Sequence, residues 1–158
     1  MDWEDEDELR FIADEMLGKL AKWLRAIGYD TVYFTGVGDE ALVKQALKED
    51  RLILTKDSNL VKRKMVRNSF LVEGDDPKEQ FKQVVQEMNL DVKSNFFTRC
   101  LVCNTELVFI EKEEAWGKVP VYTYMTHDVF YECEECNRIY WSGTHRDNML
   151  ELLNDIVG

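Results

Sequence analysis

Four cysteines in two Cys-x-x-Cys pairs restrict the possible folds of this chain of 158 residues more than any other feature of its sequence. Each pair places two thiolates on one tight turn, which supplies half of a tetrahedral metal site. Two such pairs separated by strand-forming segments complete a zinc site, while two disulfides or a redox dithiol are the alternatives. His127 and His145 are further candidate ligands, although four sulfurs already close the coordination shell. The spacing predicts one structural Zn²⁺ held by Cys100, Cys103, Cys133 and Cys136.

The first half of the chain alternates apolar segments with amphipathic segments. Those at 9–13, 30–34, 51–55 and 69–72 have the β-branched, aromatic and aliphatic composition of buried strands. Strands that alternate with helices predict a parallel sheet with helices on both faces and right-handed crossovers. Apolar residues at three- and four-residue steps predict helices at 16–27, 40–49, 58–67 and 77–88.

After Leu90 the sequence becomes richer in aromatic and strand-forming residues and carries all four cysteines. So short a segment cannot build a large core, so bound zinc is expected to stabilise it. The predicted fold class is α/β, a parallel sheet with helices on both faces, followed by a small β zinc ribbon and a C-terminal helix. The predicted units are an acidic leader at 1–8, the α/β domain at 9–92, the ribbon at 97–143 and the helix at 144–158.

The net charge of −11 at first sight argues against a nucleic-acid partner, because phosphate binding needs positive surface. The charges are uneven, however, and six of the first eight residues are acidic. Residues 44–67 hold eight lysines and arginines against three acids. Within them, Leu60, Val61 and Met65 are predicted to face inward. The basic stretch is therefore either a nucleic-acid contact or a solvated helix face.

Three aspartates follow the predicted strands. Asp14 comes directly after strand one, Asp57 follows strand three, and Asp39 begins the helix after strand two. Parallel sheets bind ligands beyond the carboxyl ends of their strands, near the point where strand order reverses. If strands one and three are neighbours, the three carboxylates converge, and their mutual repulsion favours a bound cation. Such oxygen ligands suit Mg²⁺ or Mn²⁺, which activate water in phosphodiester hydrolysis.

Helix capping is an alternative role for each of these aspartates, because Asp is a preferred residue at helix N-termini. Glu40 is adjacent to Asp39 and could replace it as a ligand. Asp75 and Asp76 follow strand four and could reach the same edge, although their Gly-Asp-Asp-Pro context is equally a turn and a helix start. The pattern thus predicts either a divalent-cation site or a set of capped helices.

Several motifs occur in a fixed order along nearly the whole chain. They are FIADEMLGKLAKWLR at 11–25, GYDT at 28–31, DEAL at 39–42, RLILTKD at 51–57, Gln80, RCLVCN at 99–104, CEEC at 133–136 and YWSGTH at 140–145. This ordered combination, which covers residues 9 to 153, resembles the Mut-seven C-terminal RNase family. That family has a PIN-like RNase domain with a zinc ribbon at its C-terminus.

The resemblance implies a PIN-type fold and metal-dependent cleavage of single-stranded or structured RNA. It places the catalytic acids at Asp14, Asp39 and Asp57, with Mg²⁺ or Mn²⁺ as their cofactor and Zn²⁺ as the structural ion of the ribbon. The matching hypothesis for RNA recognition is that basic residues near the acids contact the phosphate backbone. These candidates are Lys19, Arg25, Lys56 and Arg63.

The leading hypothesis is therefore a metal-dependent endoribonuclease. The alternatives are a non-catalytic RNA-binding or adaptor module, a plain protein-interaction domain, and a phosphatase-like hydrolase of small substrates. A protein partner is expected to use the zinc ribbon or the acidic surface.

The chain has no apolar stretch of about 20 residues, and its first residues are acidic rather than signal-like. Both features predict a soluble, unexported, cytoplasmic protein without membrane contact.

Overall fold

A computed structural model of the chain describes residues 9–158, and the acidic leader predicted at 1–8 lies outside these described residues. A four-stranded parallel sheet flanked by helices is followed by a three-stranded antiparallel sheet and a C-terminal helix. This architecture confirms the predicted fold class. The strands of the parallel sheet are β1 (Phe11–Ala13), β2 (Thr31–Tyr33), β3 (Leu52–Thr55) and β4 (Ser69–Leu71).

The parallel sheet has the strand order β2-β1-β3-β4, so β1 and β3 are neighbours at its centre. Phe11 pairs with Thr31 on one side and with Leu52 on the other. The chain runs from β1 outward to β2 and then crosses to β3, so strand order reverses between β1 and β3. Both central strands are fully buried, which explains their continuous apolar sequences. The expected adjacency of strands one and three is confirmed.

Helices cover both faces of this sheet. They are α1 (Gly18–Ala26), α2 (Asp39–Glu49), α3 (Ser58–Val61) and α4 (Pro77–Met88). Because successive side chains of a strand point to opposite faces, two cores form. Phe11 and Leu54 pack with α1 and α4 on one face, whereas Ile12 and Ile53 pack with α2 and α3 on the other.

The helix predicted at 58–67 is shorter than expected, because α3 ends at Val61. Leu60 anchors it in the core, but Met65, predicted to face inward, exposes 64% of its surface. The turn after Val61 is Lys-Arg-Lys, so it brings adjacent like charges and no apolar side chain to pack. A single turn without packing is not stable in water, and the chain continues as irregular structure.

The second sheet consists of three short antiparallel strands in the order β5-β6-β7. Ile110, Ala115 and Phe130 form its core, and Trp141 packs against them. So small a core needs additional support, which a metal ion supplies in modules of this size. The elements of this ribbon are β5 (Val108–Ile110), α5 (Val121–Thr126), β6 (Phe130–Glu132) and β7 (Ile139–Tyr140).

The C-terminal helix α6 (Thr144–Val157) returns to the parallel sheet. Its Met149 and Leu153 are buried in the same core as Phe81 of α4, and the two helices pack along each other. The last helix therefore completes the core of the α/β part. The division of the chain into units at 9–92, 97–143 and 144–158 stays a prediction.

Candidate functional site

The four cysteines converge between the two Cys-x-x-Cys turns. All four are free thiols, and their Sγ atoms lie within 4.8 Å of one another. The Sγ atoms of Cys100 and Cys136 are 3.7 Å apart. Sulfurs bound at about 2.3 Å to a tetrahedral zinc ion lie about 3.8 Å from one another. The cysteines are thus positioned to hold a metal ion, and zinc fits this all-sulfur set.

The ionisation of the thiols reflects how closely the four sulfurs are packed. Burial, together with hydrogen bonds among the sulfurs, raises the pKa of the Cys103 thiol to about 12. Hydrogen bonding from the Arg138 backbone lowers the pKa of Cys136 to about 6. Thiolates packed this closely repel one another, and a dication that binds all four removes the repulsion.

Residues next to the cysteines shape the two turns. Asn104 and Asn137 follow the two Cys-x-x-Cys pairs with positive φ angles of 67° and 64°. Asparagine adopts this left-handed conformation more readily than most residues, so each turn can close tightly. The hydroxyl of Tyr140 donates a hydrogen bond to Cys100 Sγ at 3.1 Å. The asparagines therefore allow the two turns to close, and Tyr140 helps to orient the sulfur of Cys100.

The two histidines lie outside the cysteine cluster. His127 Nδ1 is 3.0 Å from the hydroxyl of Thr126, in the turn after α5. His145 is exposed in the first turn of α6. Neither is part of the group whose ligand atoms converge. The four sulfurs are therefore sufficient to form the metal site, as the sequence predicts.

Arg25 fastens the first cysteine turn to the parallel sheet. Its Nη1 donates to the carbonyl oxygens of Leu101 and Val102 at 3.0 and 3.1 Å, and its Nε donates to the carbonyl of Thr31 at 2.8 Å. One guanidinium on α1 thus joins β2 to the ribbon. These contacts give Arg25 a structural role, and its predicted contact with RNA stays a prediction.

Asp30 forms a second link between the same parts. Its Oδ1 accepts hydrogen bonds from Arg51 at 2.8 Å and from the Asn104 amide at 2.6 Å. Burial raises the pKa of Asp30, but the hydrogen bonds from Arg51 and Asn104 outweigh it, so the pKa lies below its usual value. The carboxylate is therefore ionised at neutral pH and holds the ribbon against the amino-terminal edge of the sheet.

Asp14 and Asp57 lie at the carboxyl ends of neighbouring strands, and one hydroxyl links them. Thr55 Oγ1 donates to Asp14 Oδ2 and accepts from the Asp57 amide, both at 3.0 Å. Each carboxylate also caps a helix, since Asp14 accepts from the Met16 amide and Asp57 from the Asn59 amide. A carboxylate has about four lone-pair positions, so capping leaves room for a cation.

Asp39 has a different partner. It begins α2, and its Oδ2 lies 3.8 Å from Arg63 Nη2. Glu40, the alternative ligand, forms an exposed pair with Lys44 at 3.2 Å. Within residues 9–158, the cysteines alone form a group of three or more metal-binding side chains with ligand atoms within 4.8 Å. The structure links Asp14 with Asp57, and the three-aspartate cation site stays a prediction.

The two aspartates after β4 also have partners. Asp75 pairs with Lys56, and Asp76 caps α4 by accepting a hydrogen bond from the Lys78 amide at 3.0 Å. Lys19 is exposed on α1, with its ammonium 5.4 Å from the centre of the Trp23 ring. Lys19 lies on α1, Lys56 follows β3 and Arg63 follows α3, and their contacts with RNA stay predictions.

Sequence reasoning missed the residues that connect these groups. Thr55 was assigned only to a buried strand, although a threonine one residue before a Lys-Asp pair at a strand end can bridge to a neighbouring strand. Asp30 and Asn104 carried no signal of their pairing, because they are 74 residues apart. Only the fold brings them together.

The fold and the sites define a mixed α/β protein with acids at the switch point of its sheet and a four-cysteine metal module. A comparison with protein-family models matches residues 9–153, nearly the whole chain, to the Mut7-C RNAse domain. The chain therefore belongs to the Mut7-C RNAse domain family, which confirms the resemblance found in its motifs. A comparison with curated proteins finds no match. Among the helices of residues 9–158, none is long and apolar enough to span a bilayer.

Proposed function

We propose that this protein is a PIN-type, metal-dependent endoribonuclease whose acids lie at the carboxyl ends of β1 and β3. The observation that carries the proposal is the hydroxyl of Thr55, which links Asp14 to Asp57 across the two strands. This link lies where strand order reverses, the usual ligand position in open parallel sheets. Membership in an RNase-domain family supports RNA as the substrate class.

Asp14, Asp57 and Asp39 are the residues proposed to hold Mg²⁺ or Mn²⁺, the ions that suit carboxylate ligands. The bound cation would supply water activation and charge neutralisation for phosphodiester hydrolysis. Thr55 fixes the orientation of the Asp14 carboxylate and the backbone of Asp57. Arg63 holds Asp39 in a long ion pair, and an arriving phosphate would compete for that guanidinium.

The proposed contacts to the RNA backbone are Lys19, Lys56 and Arg63. Lys56 and Arg63 are paired with exposed or half-exposed aspartates, so each can exchange a carboxylate for a phosphate at little cost. Lys19 is exposed on α1. Arg25 is a weaker candidate, because its donors already reach protein carbonyls.

We propose the cytoplasm as the compartment, since a thiolate metal site needs reduced cysteines. A protein partner that binds the ribbon or the acidic surface is a further proposal.

One observation favours a second function, a non-catalytic RNA-binding or adaptor module. Asp14 and Asp57 each cap a helix, and within residues 9–158 the aspartates do not form a cluster as close as that of the cysteines. Capping alone explains aspartate at such positions. Under this hypothesis the acids stabilise the fold, and RNA binds without being cleaved.

Cleavage of a labelled single-stranded RNA tests the proposal. The zinc-loaded protein is incubated with RNA with and without Mn²⁺, beside Asp14→Asn and the control Asp91→Asn. Asparagine can still accept the Met16 hydrogen bond, so the fold is retained while a cation ligand loses its charge. We expect Mn²⁺-dependent cleavage that falls at least about 100-fold in Asp14→Asn.

Asp91 is a suitable control because it also accepts hydrogen bonds from amides of the following turn, those of Lys93 and Ser94. It lies outside the acid group, so Asp91→Asn is expected to cleave as the unmodified protein does. Cleavage that is equal in both variants would indicate a contaminating nuclease and contradict the proposal. Absent cleavage with retained, salt-sensitive RNA binding would favour the adaptor.

A further inference from the structure

A groove with a volume of about 720 Å³ lies where α1, β7 and the start of α6 meet. We call it the ribbon groove and define it by Lys22 of α1, Tyr140 and Trp141 of the ribbon, and His145 of α6. It is separate from the strand ends that carry Asp14 and Asp57, and its volume is in the range of small-ligand sites.

The ribbon groove is basic in a chain of net charge −11. Its lining includes Lys22, Lys118, Arg138 and Arg146, and no Asp or Glu among the described residues lines it. A concentration of positive charge on one surface of an acidic protein is the electrostatic footprint expected of a phosphate-binding site.

Two of these cations have carboxylate neighbours outside the groove. Lys118 Nζ is 3.4 Å from Glu132, and Arg146 Nη1 is 3.5 Å from Asp147. Both pairs are long and partly exposed, so the carboxylates hold the cations only weakly. Phosphate oxygens in the groove can therefore compete for them. Arg146 also lies over the Phe96 and Phe97 rings, and Arg138 donates a hydrogen bond to Cys136.

Aromatic rings interleave with the cations. Phe97, Tyr140 and Trp141 line the same groove, and none of the three is fully buried. Phe97 is stacked on Phe96 with ring centres 4.8 Å apart and meets Tyr140 edge-to-face at 6.2 Å, so it supports Tyr140, and the rings offered to a base are those of Tyr140 and Trp141. Nucleobases stack on such rings irrespective of sequence, and each stacked base tightens binding by roughly 5- to 150-fold.

The basic surface continues from the groove toward the acids. Lys19 and Lys22 are three residues apart on α1, so they are neighbours on one helix face. Their Cα atoms are separated along the helix axis by about 4.5 Å. Helix α1 itself follows directly from the turn that Asp14 caps. A polyanion bound in the groove could therefore continue along the lysines of α1 to Asp14 at the end of β1.

We propose that the ribbon groove anchors single-stranded RNA, with phosphates on its lysines and arginines and bases on its aromatic rings. The combination of cations with the partly exposed rings of Tyr140 and Trp141 favours nucleic acid over an acidic protein segment, which would need the cations alone. The inference deepens the proposed ribonuclease function, because the anchored strand would extend along α1 to Asp14. RNA binding in the groove is nevertheless measurable without cleavage.

The test measures binding of a short fluorescent single-stranded RNA by anisotropy, with zinc-loaded full chain and no added Mg²⁺ or Mn²⁺. The variant is Lys22→Ala with Lys118→Ala. The control is Lys78→Ala with Lys93→Ala, two exposed lysines that lie outside both the groove and the basic stretch at 44–67 and give the same change in net charge. Zinc content and thermal unfolding confirm that both variants are folded.

We expect the groove variant to raise the dissociation constant on the order of tenfold at about 50 mM salt, and the control to stay within about twofold. The slope of log K against log salt should fall by about 1.4 in the groove variant, because two phosphate contacts are lost. An abasic strand of equal length should bind at least about fivefold more weakly than the RNA.

Three outcomes would overturn the inference. The first is equal binding by the groove variant and the control. The second is an abasic strand that binds as tightly as the RNA. The third is an oligoglutamate that binds as tightly as the RNA and is lost in the groove variant, which would assign the groove to an acidic protein segment. Cleavage without groove-dependent binding would contradict only the inference, whereas groove-dependent binding without cleavage would contradict only the proposed function.

Discussion

At the scale of single residues, Asp30 shows how one carboxylate connects three parts of the chain. It precedes β2, and it accepts hydrogen bonds from Arg51 before β3 and from Asn104 in the first cysteine turn. The Arg51 side chain exposes only 8% of its surface, so its charge depends on protein partners. Loss of the Asp30 charge would leave a nearly buried cation with weaker compensation.

Replacement of this carboxylate is therefore expected to destabilise the protein in a pH-dependent way. Asp30→Asn should lower the free energy of unfolding at pH 7 by about 2 kcal/mol, because hydrogen bonds to charged groups are lost. The pKa of Asp30 is depressed in the folded protein, so the advantage of the unmodified chain is present above pH 4 or so and is lost as the pH falls through the folded pKa. Urea unfolding at several pH values measures the difference.

Asp155→Asn is the matched control, because Asp155 is exposed near the end of α6. It should unfold like the unmodified chain within about 0.5 kcal/mol at every pH. A difference for Asp30→Asn that persists undiminished in acid would show that packing, and not the ionised carboxylate, is responsible.

At the scale of elements, the ribbon is expected to depend on a metal ion held by its four cysteines. Its strands β5, β6 and β7 have three, three and two residues, and its core has three buried side chains. Structural zinc contributes roughly 10–16 kcal/mol of apparent binding free energy in modules of this kind. The ribbon is also fastened to the sheet by Arg25 and Asp30, which lie outside it.

Removal of zinc is expected to unfold the ribbon and leave the parallel sheet folded. One zinc ion per chain should be released by a chelator, and the amides of β5 to β7 should lose hydrogen-exchange protection while those of β3 keep it. Cys136→Ser should have the same effect, because it removes one ligand. Hydrogen exchange followed by mass spectrometry measures both cases.

Val129→Ser provides the comparison, since Val129 is a half-exposed ribbon residue that is not a ligand. It should retain the zinc and the protection of the strands. A metal-free ribbon whose strands remain fully protected would contradict the assignment of zinc as its main source of stability.

At the scale of the whole molecule, the last helix, α6, and the first strand, β1, contribute to the same hydrophobic core. The chain leaves the parallel sheet after α4, builds the ribbon and then returns as α6. Leu153 is fully buried in the core that contains Phe11 and Phe81. The two ends of the described chain are therefore part of one core, although the ribbon separates them in sequence.

A substitution in this helix should consequently weaken the α/β part. Leu153→Ala is expected to lower the free energy of unfolding by about 2–5 kcal/mol, because it leaves a cavity in a fully buried core. Trp23 packs edge-to-face on Phe81 in the same core, so tryptophan fluorescence during urea unfolding reports the change.

Leu152→Ala, at a half-buried position of the same helix, should cost clearly less, because it removes less buried surface. If Leu153→Ala left the unfolding of the α/β part unchanged, α6 would not contribute to the stability of that part.

The sequence by itself determined the features that depend on local pattern. Apolar strands that alternate with amphipathic helices can bury their faces only in a parallel sheet with helices on both sides. Two Cys-x-x-Cys pairs can close a zinc site because the spacing alone sets each turn. The motifs for family membership were likewise readable along the chain, and the family comparison confirms them.

The tertiary structure decided the features that depend on contacts between distant residues. It ended α3 at Val61, where the next three residues are the exposed Lys62, Arg63 and Lys64. It tied Thr55 to Asp14, Arg25 to the cysteine turn, and Lys22 to the ribbon groove. The physical reason is that spacing along a chain sets local geometry, whereas hydrogen bonds and shared cavities form only between groups that folding has brought together.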